Sequence, residues 1–269
     1  MAARRHRREG PEAPDVALAR LYDEDLVADD PGDLGLYLGL AERTGGPVLE
    51  LAAGSGRVAV PLAEAGHDVT AVDLDPAMLA RADDRAIVAG VAARVRLVEA
   101  DLLDLELVPA PDAGAYRLAI LALNSIFLLA TAEAQAAALR VMAGHLAPGG
   151  LAVVDAWQPV GDDLALYDGR LQLADVRVDA ASGRTVTKVW AASHDRRART
   201  VVLTTIYDEG EPGAPAARWV RRDALRLVAA DELVAMAEAA GLRVEVLAGD
   251  YDLRPRRGSD DQAVLVARR

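Results

Sequence analysis

The sequence contains no cysteine among its 269 residues. This absence excludes disulfide bonds, iron–sulfur clusters and thiolate zinc sites, and it fits a protein of the reducing cytoplasm. Lysine occurs once, at Lys188, and aromatic residues make up only 4% of the chain. No apolar run approaches the ~20 residues that a membrane-spanning helix requires. We therefore expect a cytoplasmic protein that does not cross a membrane.

Positive charge is also scarce, because 42 acidic residues outnumber 30 basic ones and give a net charge of -12. Nucleic-acid affinity comes largely from basic side chains that neutralise phosphates, so we expect neither nucleic acid nor anionic membranes as partners. Apolar residues make up 52% of the chain, enough for the core of one domain. The basic residues 1–14 are expected to form a disordered tail, and residues 15–269 are expected to form the domain.

From about Val48 to Trp157, short apolar runs rich in β-branched residues alternate with segments of helical period. This pattern is typical of βαβ units and predicts five parallel strands. The turn at Pro148-Gly149-Gly150 should end the helix that precedes the fifth strand. Residues 15–43 are predicted to be helical and to pack on the mouth of the sheet. The fold class indicated is α/β, with a doubly wound, Rossmann-like sheet.

After Trp157 the pattern changes to four segments that alternate in the manner of half-buried strands. We predict a small antiparallel sheet within residues 160–227, between strand five and the following helix. One helix and two strands then return to the first sheet, so this block is an insertion rather than a separate domain. It is expected to act as a lid over the mouth of the parallel sheet.

A glycine turn, Gly54-Ser55-Gly56, follows the first predicted strand. In a doubly wound sheet this turn lets backbone N–H groups approach a ligand, and glycine is needed where a Cβ would collide with it. Gly54, Gly56 and Ala59 satisfy a permissive form of the dinucleotide pattern G-x-G-x-x-G/A. That match is weak by itself, so the turn leaves more than one nucleotide cofactor open.

Acidic residues near the ends of three strands narrow the choice of cofactor. Glu50, four residues before Gly54, would repel a pyrophosphate but could accept hydrogen bonds from the ammonium of an amino-acid group. Asp73 ends strand two, where a carboxylate can accept both ribose hydroxyls. Asp101 follows strand three and could accept from the exocyclic amine of adenine. The three acids together favour a nucleoside that carries an amine over a dinucleotide.

With these residues, the segment from Val48 to Trp157 resembles class I S-adenosylmethionine-dependent methyltransferases. The resemblance implies a seven-stranded sheet whose last strand is antiparallel, between strands five and six. It also implies S-adenosylmethionine as cofactor and S-adenosylhomocysteine as product. The inserted sheet is similar to that of small-molecule enzymes related to glycine N-methyltransferase and the aminosugar N-methyltransferases.

In that family the glycine turn holds the methionine part of the cofactor, and the two following acids meet ribose and adenine. The cofactor-binding residues that the resemblance implies here are Glu50, Ala52, Gly54, Gly56, Asp73, Leu74, Met78, Asp101 and Leu102. We add Tyr22, Tyr37 and Leu123, together with Arg57, whose guanidinium could face the cofactor carboxylate. Ala52 stands where the family more often has glycine, and we expect it to avoid positive φ and to shift the turn slightly.

Candidates for the substrate wall are Asn124, Trp157 and Tyr251, while the catalytic residue stays unassigned. Aromatic faces near the lid could stabilise a sulfonium or an amine by about 0.5 to 2 kcal/mol each. Asn124 is equally well explained as a strand-end residue that satisfies its own loop. The expected reaction is an in-line displacement in which the protein mainly aligns and desolvates the reactants, and no metal site is expected.

The function expected from the sequence is methyl transfer from S-adenosylmethionine to a nitrogen or oxygen of a small molecule. One alternative is a related protein that binds the cofactor but performs other chemistry or serves a partner chain. Another is an NAD-dependent oxidoreductase, which would need a Tyr-Lys or similar hydride-site pair that the sequence does not show. We also expect that the protein can form a homodimer through the inserted sheet.

Overall fold

The computed structural model describes residues 12–28, 30–105, 107, 116–179, 182–211, 213 and 215–269. Most of the tail expected at residues 1–14 therefore lies outside the described residues. Among the residues described, no helix is long and apolar enough to span a membrane. The helices are α1 (Pro14–Ala28), α2 (Leu34–Thr44), α3 (Ala59–Glu64), α4 (Pro76–Val88), α5 (Ala132–His145) and α6 (Ala230–Ala239).

The strands of the main sheet are β1 (Val48–Leu51), β2 (Val69–Asp73), β3 (Val95–Glu99), β4 (Tyr116–Leu121), β5 (Leu146–Trp157), β10 (Arg243–Ala248) and β11 (Gln262–Arg268). These seven strands lie in the order β3-β2-β1-β4-β5-β11-β10. β1 pairs in parallel with both β2 and β4, whereas β11 runs antiparallel between β5 and β10. This arrangement confirms the predicted fold class and the reversed final strand.

The sheet is buried on both faces because its central strands are apolar at nearly every position. Leu49 and Leu51 of β1 pack towards α5 and α6. Val48 packs on the opposite face, against α2 and α3. Because side chains alternate along a strand, Glu50 shares the face of Val48. The change in connection direction between β1 and β4 leaves a crevice at the carboxyl ends of these strands, where ligands bind in open α/β sheets.

Helix α3 begins at Ala59, after the glycine turn. One predicted element boundary is wrong. Helix α5 ends at His145, and the Pro148-Gly149-Gly150 turn lies within β5 rather than before it. The pairing of β4 with β5 shifts from Tyr116–Leu146 to Leu118–Leu151, so the turn is a bulge that a proline and positive-φ Gly149 tolerate.

The predicted insertion is present as a second, fully antiparallel sheet between β5 and α6. Its strands are β6 (Gln172–Val178), β7 (Thr185–Asp195), β8 (Thr200–Gly210) and β9 (Ala217–Arg226), in that order. Ala192 and Val201 on its inner face join the core cluster of the main sheet. The insertion is therefore continuous with the domain core.

Helix α1 lies between the two sheets. Ala19 and Tyr22 contact Met78 of α4 on the side of the main sheet. Leu21 packs on the other side, against Val186 and Tyr207 of the inserted sheet. The N-terminal helix thus joins the inserted sheet to the edge that carries the glycine turn, as expected for helical material at the mouth.

Candidate cofactor and substrate site

The turn after β1 has three residues at positive φ, Ala52 (φ 52°), Gly54 (φ 54°) and Gly56 (φ 76°). The expectation that Ala52 would avoid positive φ is wrong. Contacts with β2 hold the turn in place, because the Ala53 N–H donates to the Val72 carbonyl at 3.0 Å. For a non-glycine residue this conformation costs roughly 1 to 2 kcal/mol, which the surrounding hydrogen bonds offset.

The two glycines are required for different reasons. A Cβ built on Gly54 would meet no atom within 4 Å, so this position faces open space. A Cβ on Gly56 would lie 3.1 Å from the Cβ of Ala82 in α4. Gly54 therefore leaves room for a ligand, whereas Gly56 permits close packing of the turn on a helix.

Glu50 is a buried acid beside this turn, with only 3% of its surface exposed. Its Oε2 has no hydrogen-bond partner among the described residues. Burial raises the pKa of Glu50 to about 8, while nearby Arg57 and a hydrogen bond from the Ala59 backbone act in the opposite direction. A buried carboxylate oxygen without a donor is costly, so a cationic ligand group would stabilise its ionised form.

A cavity of about 40 Å³ opens next to Glu50 at the glycine turn. Its walls include Ala52, Gly54, Tyr22 and Leu123. Arg57 also lines it, but both Nη atoms donate to the buried carboxylate of Asp33, at 2.5 and 2.7 Å. The guanidinium is held rigidly beside the cavity, and its contact with a ligand carboxylate stays a prediction.

The acids after β2 and β3 lie along the same sheet edge. Asp73 Oδ2 accepts from the Gly54 N–H at 2.7 Å, and its Oδ1 accepts from the Asp75 N–H at 2.9 Å. Each oxygen keeps a second lone pair for a ligand hydroxyl. Leu74 is 68% exposed beside it, and Asp101 accepts from the Leu103 N–H at the start of a short 3₁₀ turn. Asp73 is therefore both a support of the turn and a candidate ligand contact.

A larger cavity of about 400 Å³ adjoins the small one. Tyr22, Leu26, Leu123 and Ser125 line both, so these four residues mark the junction. The far walls are formed by α1, by the 3₁₀ turn after β4 and by the inner face of the inserted sheet. The polar residues there are Asp25, Asn124, Lys188, Thr205, Tyr207, Arg221 and Asp223.

Known proteins share this architecture. Residues 48–150 match the methyltransferase domain family. Over 264 residues the chain is 29% identical to the cypemycin N-terminal methyltransferase of a Streptomyces species, across 93% of this chain and 98% of that protein. The CcbJ methyltransferase of Streptomyces caelestis superposes with a TM-score of 0.76 at 26% identity, over 90% and 97% of the two chains. The chain is an S-adenosylmethionine-dependent methyltransferase.

The inserted sheet belongs to the shared fold. The sugar N-methyltransferase KedS8 from Streptoalloteichus sp matches 100% of this methyltransferase and 98% of its own chain, with a TM-score of 0.72 at 24% identity. Because the match spans the whole chain, the second sheet is part of that architecture and not an addition unique to this protein.

S-adenosylmethionine is the cofactor of this methyltransferase, and the residues around the glycine turn suit it. The orphaned Oε2 of Glu50 suits an ammonium, and the open space at Gly54 suits a ligand that approaches the backbone. Asp73 offers free lone pairs to ribose hydroxyls, and exposed Leu74 offers an apolar surface to a base. The predicted neighbours Met78, Asp101 and Leu102 lie on the same edge, after β2 and β3.

Two predicted tyrosines lie elsewhere in the methyltransferase. Tyr37 is fully buried, and its hydroxyl donates to Asp155 Oδ1 at 2.7 Å. The Tyr251 hydroxyl donates to Asp155 Oδ2 at 3.3 Å, and Tyr251 lines none of the cavities described here. Ligand contacts of Tyr37 and Tyr251 stay predictions. Both tyrosines donate to Asp155, which also accepts from the Leu123 N–H at the junction.

The sequence interpretation missed three acids that bond to residues around the site and fix their positions. Asp155 is fully buried in β5, and burial raises its pKa. Asp33 anchors Arg57, and Asp23 accepts from Ser55 of the glycine turn and pairs with Arg81. The one signal for Asp155 was an acid within the apolar run LAVVDAW. Asp23 and Asp33 lie in a helix and a loop, where acids are common.

Proposed function

We propose that this methyltransferase transfers a methyl group to an amine nitrogen of a small molecule. The observation that carries the proposal is the junction at Tyr22 and Leu123, where the larger cavity opens onto the small cavity beside Glu50. The larger cavity is lined by the carboxylates of Asp25 and Asp223 as well as by Lys188 and Arg221. Carboxylates favour a cationic or hydrogen-bond-donating acceptor group. An amine meets both conditions, since it donates N–H bonds and its product is cationic.

The carboxylates of Asp25 and Asp223 differ in their capacity to accept a further hydrogen bond. Asp25 accepts from the Tyr207 hydroxyl at 2.6 Å and forms ion pairs with Lys188 at 2.6 Å and Arg177 at 3.1 Å, so neighbours already compensate its charge. Asp223 is contacted by the Arg221 Nε, at 2.9 Å and 3.0 Å from its two oxygens. Asp223 is therefore the acid that can best accept an N–H bond from the acceptor and orient its lone pair.

The cofactor supplies an electrophilic methyl group, and the protein places the acceptor in line with it. In the transfer the new C–N bond forms as the C–S bond breaks, and the nitrogen then loses a proton to solvent or to a nearby carboxylate. Arg221 bonds to Asp223 and lies near the junction, with its Cζ 5.9 Å from the ring centroid of Tyr22. The inner face of the inserted sheet forms one wall of the larger cavity. Water that this wall keeps out would otherwise weaken these polar interactions.

The names of related proteins support nitrogen over oxygen. The Streptomyces relative at 29% identity is an N-terminal methyltransferase. KedS8 is a sugar N-methyltransferase, and MtfA, with a TM-score of 0.53, is a glycopeptide N-methyltransferase. Their acceptors differ, so these names support an amine as the methylated group. The rest of the substrate has to be inferred from the shape and chemistry of the cavity.

The homodimer predicted through the inserted sheet stays a prediction. The outer face of that sheet carries an apolar row across all four strands, Leu173, Val189, Ile206 and Val220, which are paired in register. Leu173 and Val220 are more than half exposed. Light scattering of the purified protein distinguishes a dimer from a monomer.

The proposal is tested with acceptor pairs that differ only in an amine or a hydroxyl, such as phenethylamine and phenethyl alcohol, or a short peptide with a free or an acetylated N-terminus. We expect methylated products from the amines and none from their partners. The proposal is contradicted if the hydroxyl compounds are methylated and the amines are not. Binding of S-adenosylhomocysteine without transfer to any acceptor favours the alternative of a cofactor-binding protein with another role.

A further inference from the structure

A second cavity, of about 190 Å³, opens from the larger one. The two share Asn124, Phe127, Leu203 and Leu225, so a ligand can extend from one into the other. The remaining walls are formed by Trp157, Tyr167, Val201 and Leu227. We call this space, with these eight lining residues, the apolar annexe.

The annexe is built by four separate parts of the chain. Phe127 comes from the 3₁₀ turn after β4, Trp157 from the end of β5, and the leucines from the inserted sheet and its exit. Tyr167 belongs to the connection before β6 and lies 6.2 Å from Trp157 and 5.8 Å from Trp190, between ring centroids. The backbone of this connection is fixed to β7, because the His194 N–H donates to the Tyr167 carbonyl. The walls are therefore held in place rather than loosely packed.

The chemistry of the annexe contrasts with that of the larger cavity. None of its eight lining side chains carries a charge, whereas the larger cavity has two cations and two carboxylates. The polar amide of Asn124 lies at the boundary, and its Oδ1 already accepts from the Trp157 N–H. An apolar space open to a charged one suits a molecule with an apolar end and a polar end.

We propose that the apolar annexe binds an apolar group of the acceptor, so that the substrate is an amine with an aromatic or branched aliphatic substituent. This inference rests on the proposed amine methylation, since it places the nitrogen at Tyr22 and the substituent beyond Asn124. The volume is adequate, because cavities of about 150 Å³ lined by Leu, Ile and Phe take up benzene. Aromatic walls add specific edge and face contacts to a bound ring.

The first test uses ethylamine, benzylamine, phenethylamine and 4-phenylbutylamine with the S-adenosylhomocysteine complex, measured by calorimetry, and with S-adenosylmethionine, measured as turnover. Each methylene that enters the annexe should raise affinity and kcat/KM about fourfold until the space is filled. Equal affinity along the series, or binding of none of the amines, overturns the annexe assignment.

The second test changes the annexe itself. Leu225→Trp should fill the space and abolish the gain for the phenylalkyl amines, while S-adenosylhomocysteine binds as to the wild type, because Leu225 does not line the cavity at the glycine turn. Tyr167→Ala should enlarge the space and move the optimum to longer amines. The matched control is Ala224→Trp, at the adjacent exposed position on the outer face of β9, which should leave the series unchanged. If Leu225→Trp does not fold, the change in optimal amine length in Tyr167→Ala tests the proposal instead, and an unchanged optimum overturns it.

The two proposals fail in different ways. Amines that are methylated without any dependence on apolar length would leave the proposed function intact and remove the annexe. Length-dependent binding that Leu225→Trp abolishes, with no methyl transfer to any amine, would keep the annexe and remove the proposed function.

Discussion

The glycine-turn edge of the main sheet and the inserted sheet contribute the two halves of the site in different ways. At the turn, backbone conformation and buried carboxylates fix the geometry, as in the bonds from Gly54 to Asp73 and from Arg57 to Asp33. The inserted sheet is joined to α1 by side-chain ion pairs, such as Arg20 with Glu209 and Lys188 with Asp25. The cofactor half is thus fixed by backbone conformation together with buried carboxylates, whereas the acceptor half is held to α1 by ion pairs between side chains.

The largest effect that we expect concerns Glu50 at the turn. The folded pKa of about 8 lies above the ordinary value of 4.5, so the unfolded chain loses this proton first. The free energy of unfolding of the ligand-free protein should therefore fall as pH rises from about 4.5 to 8, by on the order of 2 to 5 kcal/mol from this group. Urea unfolding at several pH values measures the slope.

Glu50→Gln is the control, because it keeps the shape and removes the titration. Its unfolding free energy should lack this decrease between pH 4.5 and 8, and its affinity for S-adenosylhomocysteine should fall. An identical pH profile for the variant and the wild type would show that Glu50 does not titrate in this range.

The second largest effect should come from Asp73. Asp73→Ala removes the acceptor for the Gly54 N–H and for ribose hydroxyls, so the affinity for S-adenosylhomocysteine should fall by about 2 to 4 kcal/mol. Asp75→Ala is the matched control, since Asp75 caps α4 through the Ala77 N–H. It should cost about 1 kcal/mol of stability and little affinity. Unchanged affinity in a folded Asp73→Ala variant, measured by calorimetry, removes Asp73 from the cofactor site.

The two glycines of the turn should separate binding from stability. Gly56→Ala places its Cβ against Ala82 in α4 and should lower the unfolding free energy by about 1 to 3 kcal/mol. Gly54→Ala meets no protein atom, so its stability loss should be about 1 kcal/mol, from positive φ alone. Cofactor affinity should fall more for Gly54→Ala. Equal loss of affinity with equal loss of stability in both variants would mean that Gly54 does not face the ligand.

The smallest effect should appear in the acceptor half. Asp25→Asn weakens the contacts of α1 with Lys188 and Arg177, and we expect about 1 to 2 kcal/mol of destabilisation and a several-fold higher KM for the amine. Affinity for S-adenosylhomocysteine should not change. The control is Asp208→Asn, which breaks an exposed pair with Arg218 and should change stability by at most about 0.5 kcal/mol. A weaker cofactor complex in Asp25→Asn alone would show that the two halves are coupled.

The difference between the halves also explains what could be predicted from the sequence. Apolar periodicity predicts the sheet, and the spacing of Glu50, Gly54 and Asp73 predicts the turn, because local backbone constraints place these residues. Asp155 meets Tyr37 and Tyr251 across more than ninety positions of the chain, and nothing local indicates such a contact. The φ of Ala52 was mispredicted because hydrogen bonds with β2 override the intrinsic preference of alanine.

Prediction from the sequence is limited in the same way for the residues that line the acceptor cavities. Asn124 and Trp157 were predicted as parts of a substrate wall, and the structure places both in the apolar annexe. Tyr167, Leu203 and Leu225 were not predicted, since leucines on an alternating strand look the same whether they line a cavity or fill a core. Only the packing of the inserted sheet against β5 reveals the space between them.

The most direct test of amine methylation at this site is a reaction with S-adenosylmethionine that carries a ¹³C-labelled methyl group, with phenethylamine as acceptor. The ¹³C chemical shift of the product distinguishes an N-methyl from an O-methyl group. We predict an N-methyl signal that grows with time and is lost in Asp73→Ala at cofactor concentrations that saturate the wild type. An O-methyl signal from hydroxyl acceptors, with no N-methyl product from any amine tested, would contradict the account.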